Sequence, residues 1–379
     1  MKSQLRVLYV LTSPLSVNTF GIAQLKVLHE DGFSVHLICG RGDLNSELSK
    51  FTDSIQVSSF LRRGFSFIID LFALLNLFLI VLRVKPTIII YSTPKSAFLS
   101  ALVSALCRTP IRIYQVWGVR WQNFTGVKLW VVRSADFITI KLSTKVIVVS
   151  KSVLEFISKY SETNKLVVLG PGSTAGVDMQ IFFPDKPALA PRAKVKIGYV
   201  GRISNDKGIT DLYDLFIKLT PQIPNLQLEI IGDLDLEDEI PKKLVNDINS
   251  HSKIQWIQRT QQDELAVHMR SWDAQIFLSR REGLGNVILE AGACGIPTFC
   301  WDIIGTRDAI PNFAKNFLIP FADTNLLEKS VLNYLTSPLN QYEKITLASW
   351  YYDNFEQRKV LGKFIEFIHD NLKVYNGSR

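Results

Sequence analysis

Residues Ser279 to Phe299 read SRREGLGNVILEAGACGIPTF. Two carboxylates, Glu282 and Glu290, stand on either side of the loop Gly283-Leu284-Gly285-Asn286, and an apolar helical pattern follows from Val287. Glycines let backbone amides approach a ligand closely, and the positive end of the helix points the same way. An anion held there would be a phosphate. Carboxylates repel phosphates but accept hydrogen bonds from hydroxyl pairs well. Two acids flanking an anion loop therefore suit a molecule with hydroxyl-rich groups on both sides of a diphosphate, which describes a nucleotide sugar. Taken singly, either glutamate also fits a surface or intrahelical position.

A second constellation lies upstream. Gly201-Arg202 follows the apolar run KIGYV, and Lys207-Gly208 opens the next helical pattern. An arginine and a lysine at a strand's carboxyl end, beside a helix N-terminus, can neutralise a departing diphosphate. The same residues also fit a plain strand-to-helix turn. Asp233-Leu234-Asp235 matches the spacing of metal-binding acids, but it opens the acidic run DLDLEDE and reads as a turn. His29, His36, His251, His268 and His369 lack ligand spacing, so no metal is expected. GPGSTAG lacks the Lys-Ser/Thr of a phosphate-binding P-loop, and no G-x-G-x-x-G dinucleotide fingerprint follows a first strand.

These residues need elements to position them. At 379 residues the chain exceeds one ordinary core, so two domains are expected. Strands are predicted at Val7–Leu11, Ser34–Cys39, Thr87–Tyr91, Ile111–Val116 and Lys145–Val149, with helical segments between, one of them at about Phe20–Glu30. The alternation restarts with Lys196–Val200, the helix Gly208–Leu219, then Gln227–Ile231, Ile254–Ile257, Ala274–Leu278 and Thr298–Trp301. This predicts an α/β chain of two Rossmann-like, doubly wound parallel sheets. The stretch GPGSTAGVDMQIFFPDKPALAPRAK is the expected joint, dividing residues 1–184 from 185–355. Ligands of such sheets bind at the carboxyl ends of the strands, so a cleft between the domains is the expected site.

Charge is uneven. Residues 1–185 hold 20 Lys/Arg against 11 Asp/Glu, whereas 186–379 hold 23 against 24. Eight basic residues and no acid lie between Asp70 and Asp136. The first half is expected to face something anionic, a membrane surface or a phosphorylated substrate, or else to be a solvated basic face. No nucleic-acid module is visible, and nucleic acid is not expected as a partner. Phe65–Leu82 approaches the length of a spanning helix, but Asp70 and Asn76 interrupt it. Two readings stay open, a span or a helix packed on the sheet with one face touching the bilayer. The scattered Cys39, Cys107, Cys294 and Cys300, and an N-terminus that reads as a first strand, fit a cytoplasmic protein.

The combined motifs resemble retaining glycosyltransferases of the GT-B fold, family 4, in the branch that builds bacterial capsule, O-antigen and exopolysaccharide. Gly201-Arg202 with Lys207-Gly208 resembles that family's GR…KG turn. Glu282 to Glu290 resembles its E-x7-E motif within REGL…LEA…CG.P. VIVVSKSVLEFI followed by GPGSTAGVD resembles its passage between domains, and KPTIIIYSTPKSA and RIYQVWG resemble segments of its first domain. The resemblance implies a first, acceptor-binding domain and a second that binds a nucleotide-sugar donor across a central cleft, with a final helix (Trp350–His369, or about 356–379) returning to the first. It implies Glu282 at the donor sugar and Glu290 at the ribose. Arg202 and Lys207 would meet the diphosphate, with Gly201, Gly283, Leu284, Gly285 and Asn286 around the donor. Trp117-Gly118 stand where many members carry a histidine before the glycine, and only Gly21 remains of a glycine pair near the first helix; these three would lie on the acceptor side. The expected reaction is metal-independent transfer, with retention, from a UDP-linked sugar to a polyprenyl-diphosphate-linked glycan on the inner face of the cytoplasmic membrane. No cofactor is implied. A nucleotide-sugar epimerase or hydrolase of the same fold, and a non-catalytic partner subunit, are the alternatives.

Overall fold

The structure, a computed structural model, describes residues 5–377 except 63, 65, 123, 162–163, 186–193, 236–237 and 239. The chain forms two compact units, Met1–Ala175 with Arg358–Arg379, and Gly176–Gln357. In chain order the first unit contains β1 (Arg6–Val10), α1 (Pro14–Ser16), a π-turn (Val17–Gly21), α2 (Ile22–Glu30), β2 (Ser34–Cys39) and β3 (Ser54–Val57). It continues with α3 (Phe67–Val84), β4 (Ile88–Ser92), α4 (Pro94–Leu106), β5 (Ile111–Val116), α5 (Gly126–Leu142), β6 (Lys145–Val148), α6 (Lys151–Ser158) and β7 (Leu166–Val167). Its seven strands are ordered β3-β2-β1-β4-β5-β6-β7, all paired in parallel. Parallel strands covered on both faces should be largely apolar, as Ile88–Tyr91 of the fully buried β4 is. Alternate residues, Val7, Tyr9, Leu11, Val35, Leu37, Ile88, Ile90, Ile111 and Ile113, form one core layer with Leu25 and Leu28 of α2. Helix α3 stops where Lys85 turns left-handed (φ +49) ahead of Pro86.

The second unit contains β8 (Val195–Val200), α7 (Ile209–Leu219), β9 (Leu226–Ile231), α8 (Lys242–Ser250), β10 (Ile254–Ile257), α9 (Gln262–Arg270) and β11 (Ala274–Phe277). Then come α10 (Asn286–Ala293), β12 (Thr298–Asp302), α11 (Thr306–Ala309), β13 (Leu318–Pro320), α12 (Thr324–Thr336) and α13 (Gln341–Phe355), and the last helix, α14 (Gln357–Gly377), belongs to the first unit from Arg358 on. Its six parallel strands are ordered β10-β9-β8-β11-β12-β13.

Three details differ from the sequence reading. The division falls after Ala175, not after residue 184. Val177 donates to the Phe355 carbonyl (2.8 Å) and accepts from the Gln357 amide (2.9 Å), which ties the following residues to the second unit, and Phe182 is buried there. Residues 186–193 of the expected joint lie outside the described residues. The expected final helix Trp350–His369 is two helices, because Glu356 is extended (φ −56, ψ 131) and breaks the ladder. Helix α14 then places Phe364, Ile368 and Leu372 in the first unit's core. Lastly, Phe67–Val84 is the helix found in the apolar segment, and Phe65 lies outside the described residues.

Candidate functional site

Strand order reverses between β8 and β11 in the second unit, since β9 and β10 lie to one side and β12 and β13 to the other. Such a switch leaves a crevice at the carboxyl ends of the two central strands. Gly201–Gly208 leaves β8, and Ser279–Gly285 leaves β11, so both sequence constellations arrive at this one edge. Helix α7 starts from Gly208 and α10 from Gly285, each glycine left-handed (φ +72 and +80) and neither supplying a side-chain cap. The first amides of both helices thus lack a side-chain acceptor of their own chain at the cap, which is the condition for an anion site. Gly208 has a second reason to be glycine, because a Cβ there would stand 2.1 Å from the Leu278 carbonyl oxygen. The two loops therefore run in backbone contact.

The charged side chains meet in pairs. Lys207 is ion-paired through Nζ with Glu282 Oε1, and it lies 3.5 Å from Ser279 Oγ. Both partners are mostly buried, 17% and 13% exposed, so neither charge is left without a counter-charge in poorly solvated surroundings. Arg202 pairs through Nη1 with the buried Asp235 while its own side chain is half-exposed. Its carbonyl accepts from the Tyr199 hydroxyl (2.8 Å). Arg281 meets Asp206 (3.2 Å), and the Arg280 amide donates to the Asp206 carbonyl (2.8 Å), which clamps the two loops together. Asp233, the other acid of the sequence D-x-D, accepts from the Arg259 amide (3.2 Å). Among the described residues no cluster of three or more His, Cys, Asp or Glu could hold a metal ion.

Glu290 is different. It lies one turn into α10, partly buried, and no described hydrogen-bond donor or cation is paired with its carboxylate. Desolvation pushes its pKa up to about 7. The loop Gly283-Leu284-Gly285 is buried and Asn286 half-buried. Gly305 packs upon that loop; at φ +92, its Cβ would stand 2.8 Å from the Gly283 carbonyl carbon. The sequence reading missed Gly305, and it missed Asp235 and Ser279 as supports for Arg202 and Lys207. Only the acidic run after Asp233 hinted at the first of these supports.

In the first unit the switch lies between β1 and β4. There Thr93 takes φ +61 ahead of Pro94, held by Thr12 Oγ1 and Ser96 Oγ, each 2.7 Å from its hydroxyl. Trp117 packs against Phe20 with the rings tilted (centroids 4.9 Å apart, 49° between planes) and donates from Nε1 to Gln115 Oε1 (3.1 Å). Gln115 Nε2 donates to Gln24 Oε1 (2.7 Å), and Gln24 Nε2 to the Thr174 carbonyl (2.7 Å). Trp117 is thereby held half-buried, and Gly118 lies half-buried beside it. Gly21 ends the π-turn and is buried against Leu11, Val17 and Leu25. It packs the turn that follows β1.

Residues 6–149 match the model described as glycosyl transferase 4-like, and residues 184–348 match glycosyl transferases group 1. The capsular polysaccharide biosynthesis glycosyltransferase CapM of Staphylococcus aureus is 28% identical, over 81% of this chain and 82% of its own. The Escherichia coli UDP-Gal:alpha-D-GlcNAc-diphosphoundecaprenol alpha-1,3-galactosyltransferase is 23% identical over 85% of each chain. The solved sucrose-phosphate synthase of Thermosynechococcus elongatus, 16% identical, superposes with a TM-score of 0.81 over 98% of this chain and all of its own. That last likeness speaks for the fold alone. Two parallel α/β units, anion-ready helix starts at the switch of the second, and family matches across both halves lead to one conclusion: the chain belongs to the group 1, family 4 glycosyltransferases of the GT-B fold, in the company of enzymes of bacterial surface glycans.

Proposed function

We propose that this enzyme moves a sugar from a nucleotide-diphosphate sugar, UDP-linked, to a growing polyprenyl-diphosphate-linked glycan, with retention at the anomeric carbon, in bacterial surface polysaccharide synthesis. The observation that carries this is the meeting of Arg202, Lys207 and the uncapped starts of α7 and α10 at one strand switch. The names of the capsule and diphosphoundecaprenol relatives support the acceptor class, and the E. coli relative's name supports UDP.

Departure of the nucleotide diphosphate leaves positive character on the sugar and negative charge on the outer phosphate. In this reading Arg202 and Lys207 stabilise that phosphate, and more strongly in the transition state than in the bound donor. Glu282 then serves the donor sugar and Glu290 the ribose, each accepting from hydroxyls. Among the described residues of the second unit no side chain stands out as a general base toward an acceptor. That accords with attack on the face the leaving group departs from, with the departing phosphate oxygen taking the acceptor proton. Two cations and two helix starts meet the diphosphate charge, so the reaction proceeds without a divalent ion. The basic first unit works at the anionic inner leaflet, where such an acceptor resides.

The test presents labelled nucleotide sugars to the purified enzyme with lipid extract from the producing cells. Labelled lipid-linked glycan with the donor's anomeric configuration supports the proposal. Donor turnover that is indifferent to the extract would overturn it in favour of an epimerase or hydrolase. No turnover with any nucleotide sugar would favour a non-catalytic partner.

A further inference from the structure

Helices α3 and α4 contain only three charged residues, Asp70, Arg83 and Lys95. Asp70 and Lys95 are ion-paired with each other, their side chains 15% and 18% exposed, and Lys95 Nζ also donates to the Gly64 carbonyl (2.9 Å). The acid that interrupts the apolar segment is therefore neutralised beneath the surface. Besides Arg83, what α3 exposes is Phe67, Ile68, Leu71, Phe72, Leu75, Leu79 and Leu82, a stripe at three- and four-residue spacing along one face. From Phe67 to Leu82 the stripe runs about 24 Å at 1.5 Å per residue. Helix α4 packs between α3 and α5, and α5 adds exposed Val127, Trp130 and Val131 near its start. An exposed apolar stripe as long as that of α3 is unusual on a soluble monomer.

We propose that the α3–α4–α5 layer lies on an anionic lipid leaflet and enters it shallowly, in plane. Charge selects this occupant over a second copy of the chain. Arg83, Lys85, Arg108, Arg120 and Lys128 are exposed in these helices or the turns next to them. The two acids bounding the stretch are both turned inward. Asp70 is on Lys95, and Asp136 accepts from the Tyr114 hydroxyl (2.6 Å) and Trp121 Nε1 (3.0 Å). A span is excluded by topology, because β3 before α3 and β4 after it belong to one sheet, and a crossing helix would put them on opposite sides of the bilayer. The same topology fixes where the layer faces. Helices α3 and α5 each leave the carboxyl end of a strand, so Phe67, Ile68, Val127 and Trp130 lie toward the edge at which ligands of such sheets bind. The layer would hold that edge at the headgroups. The inference deepens, and in its purpose rests on, the lipid-linked acceptor reading.

The experiment uses the full-length enzyme with vesicles of one part phosphatidylglycerol to two parts phosphatidylcholine. Trp130 is the one exposed tryptophan of seven, so its emission reports contact directly. Wild type is expected to float with the vesicles, to be weakened and not released by high salt, and to show emission quenched by lipids brominated just below the headgroup. The quenching should vanish in Trp130→Phe. Leu71→Glu with Leu75→Glu, at exposed positions, should weaken vesicle binding by at least about tenfold for each residue, with donor binding unchanged. Four results would overturn the proposal: flotation of the double variant like wild type, complete release by salt, strongest quenching from the chain ends, or a wild-type dimer that ignores vesicles and that the double variant dissociates. If flotation fails while a lipid-diphosphate acceptor in detergent is still glycosylated, docking falls alone; if flotation holds and no transfer occurs, the function falls alone.

Discussion

Glu290→Gln should raise the stability of the second unit at alkaline pH while it weakens donor binding. Folding lifts this carboxyl from 4.5 to about 7 by desolvation, with no described partner to offset the loss of water. Between those values the native state holds a proton that the unfolded chain has lost, so this group's contribution to stability falls as pH rises and levels off above 7. The full shift corresponds to about 3 kcal/mol, and water reaching the partly exposed carboxylate reduces this to about 1–2 kcal/mol. Glutamine has nearly the same shape and no charge to desolvate. At pH 8.5 the variant should therefore unfold about 2–8 °C above wild type, with the gain shrinking to less than about 1 kcal/mol at pH 5. Donor affinity should move oppositely. If the carboxylate accepts from ribose hydroxyls, wild-type affinity rises up to about tenfold per unit as pH climbs toward 7, and binding near pH 7 releases a proton. Calorimetry in buffers of different ionisation heat reads that proton, and the variant should lack it. A variant that melts at or below the wild-type temperature at pH 8.5, or a wild-type affinity flat from pH 6 to 8, would refute the reasoning.

Glu282→Gln should lower kcat far more than donor affinity, since its partner Lys207 remains to hold phosphate; equal losses in both would remove Glu282 from the reacting sugar. Arg202→Ala and Lys207→Ala should each cost about 2–4 kcal/mol of transition-state stabilisation, and full activity in either would place the phosphates elsewhere. Adding Glu282→Gln to Lys207→Ala should recover thermal stability but no activity, because the orphaned buried carboxylate goes and the phosphate contact does not return. Transfer should survive EDTA; loss that magnesium or manganese restores would make ligands of Asp233 and Asp235. Gly208→Ala forces a Cβ to within 2.1 Å of the Leu278 carbonyl at φ +72 and should destabilise the second unit by more than about 1 kcal/mol; an unchanged melting temperature would show that the two loops can part freely.

Most strands were legible because parallel sheets covered on both faces leave uninterrupted β-branched runs. Ser34–Cys39, Ile111–Val116 and Ile254–Ile257 are found with the expected bounds. The edge strands Ser54–Val57, Leu166–Val167 and Leu318–Pro320 escaped notice, being short and only partly buried or, in the last case, ending on proline. The glycine loops were visible as types and spacings. Their supports were not, because Gly305 meets Gly283 and Asp235 meets Arg202 only through folding across many residues. Asp70 shows the same limit in reverse. Read along the chain it interrupts an apolar helix, whereas in space Lys95 of the next helix cancels it.

The ion pairs change how the proposed donor site would work. Lys207 and Arg202 are not bare charges awaiting a phosphate, since each already holds a carboxylate. Binding a diphosphate there exchanges one set of partners for another, so it gains less than two free cations would give. The exchange has a use. As the diphosphate draws Lys207 toward itself, Glu282 loses its cation and becomes a stronger hydrogen-bond acceptor for a sugar hydroxyl. Arg202 keeps Asp235 behind it, a buried anchor that limits how far the guanidinium can move. In the proposed donor site one cation is thus anchored and the other shared with the acid proposed to meet the reacting sugar. On this account the Lys207–Glu282 pair couples arrival of the phosphate to readiness of the sugar contact, and the Arg202–Asp235 pair sets position alone. Asp235→Asn should then weaken donor binding with little change in kcat, whereas the changes at Glu282 and Lys207 act on kcat together. Kinetics of Asp235→Asn that lose kcat as steeply as Lys207→Ala would show that the two pairs are not divided in this way.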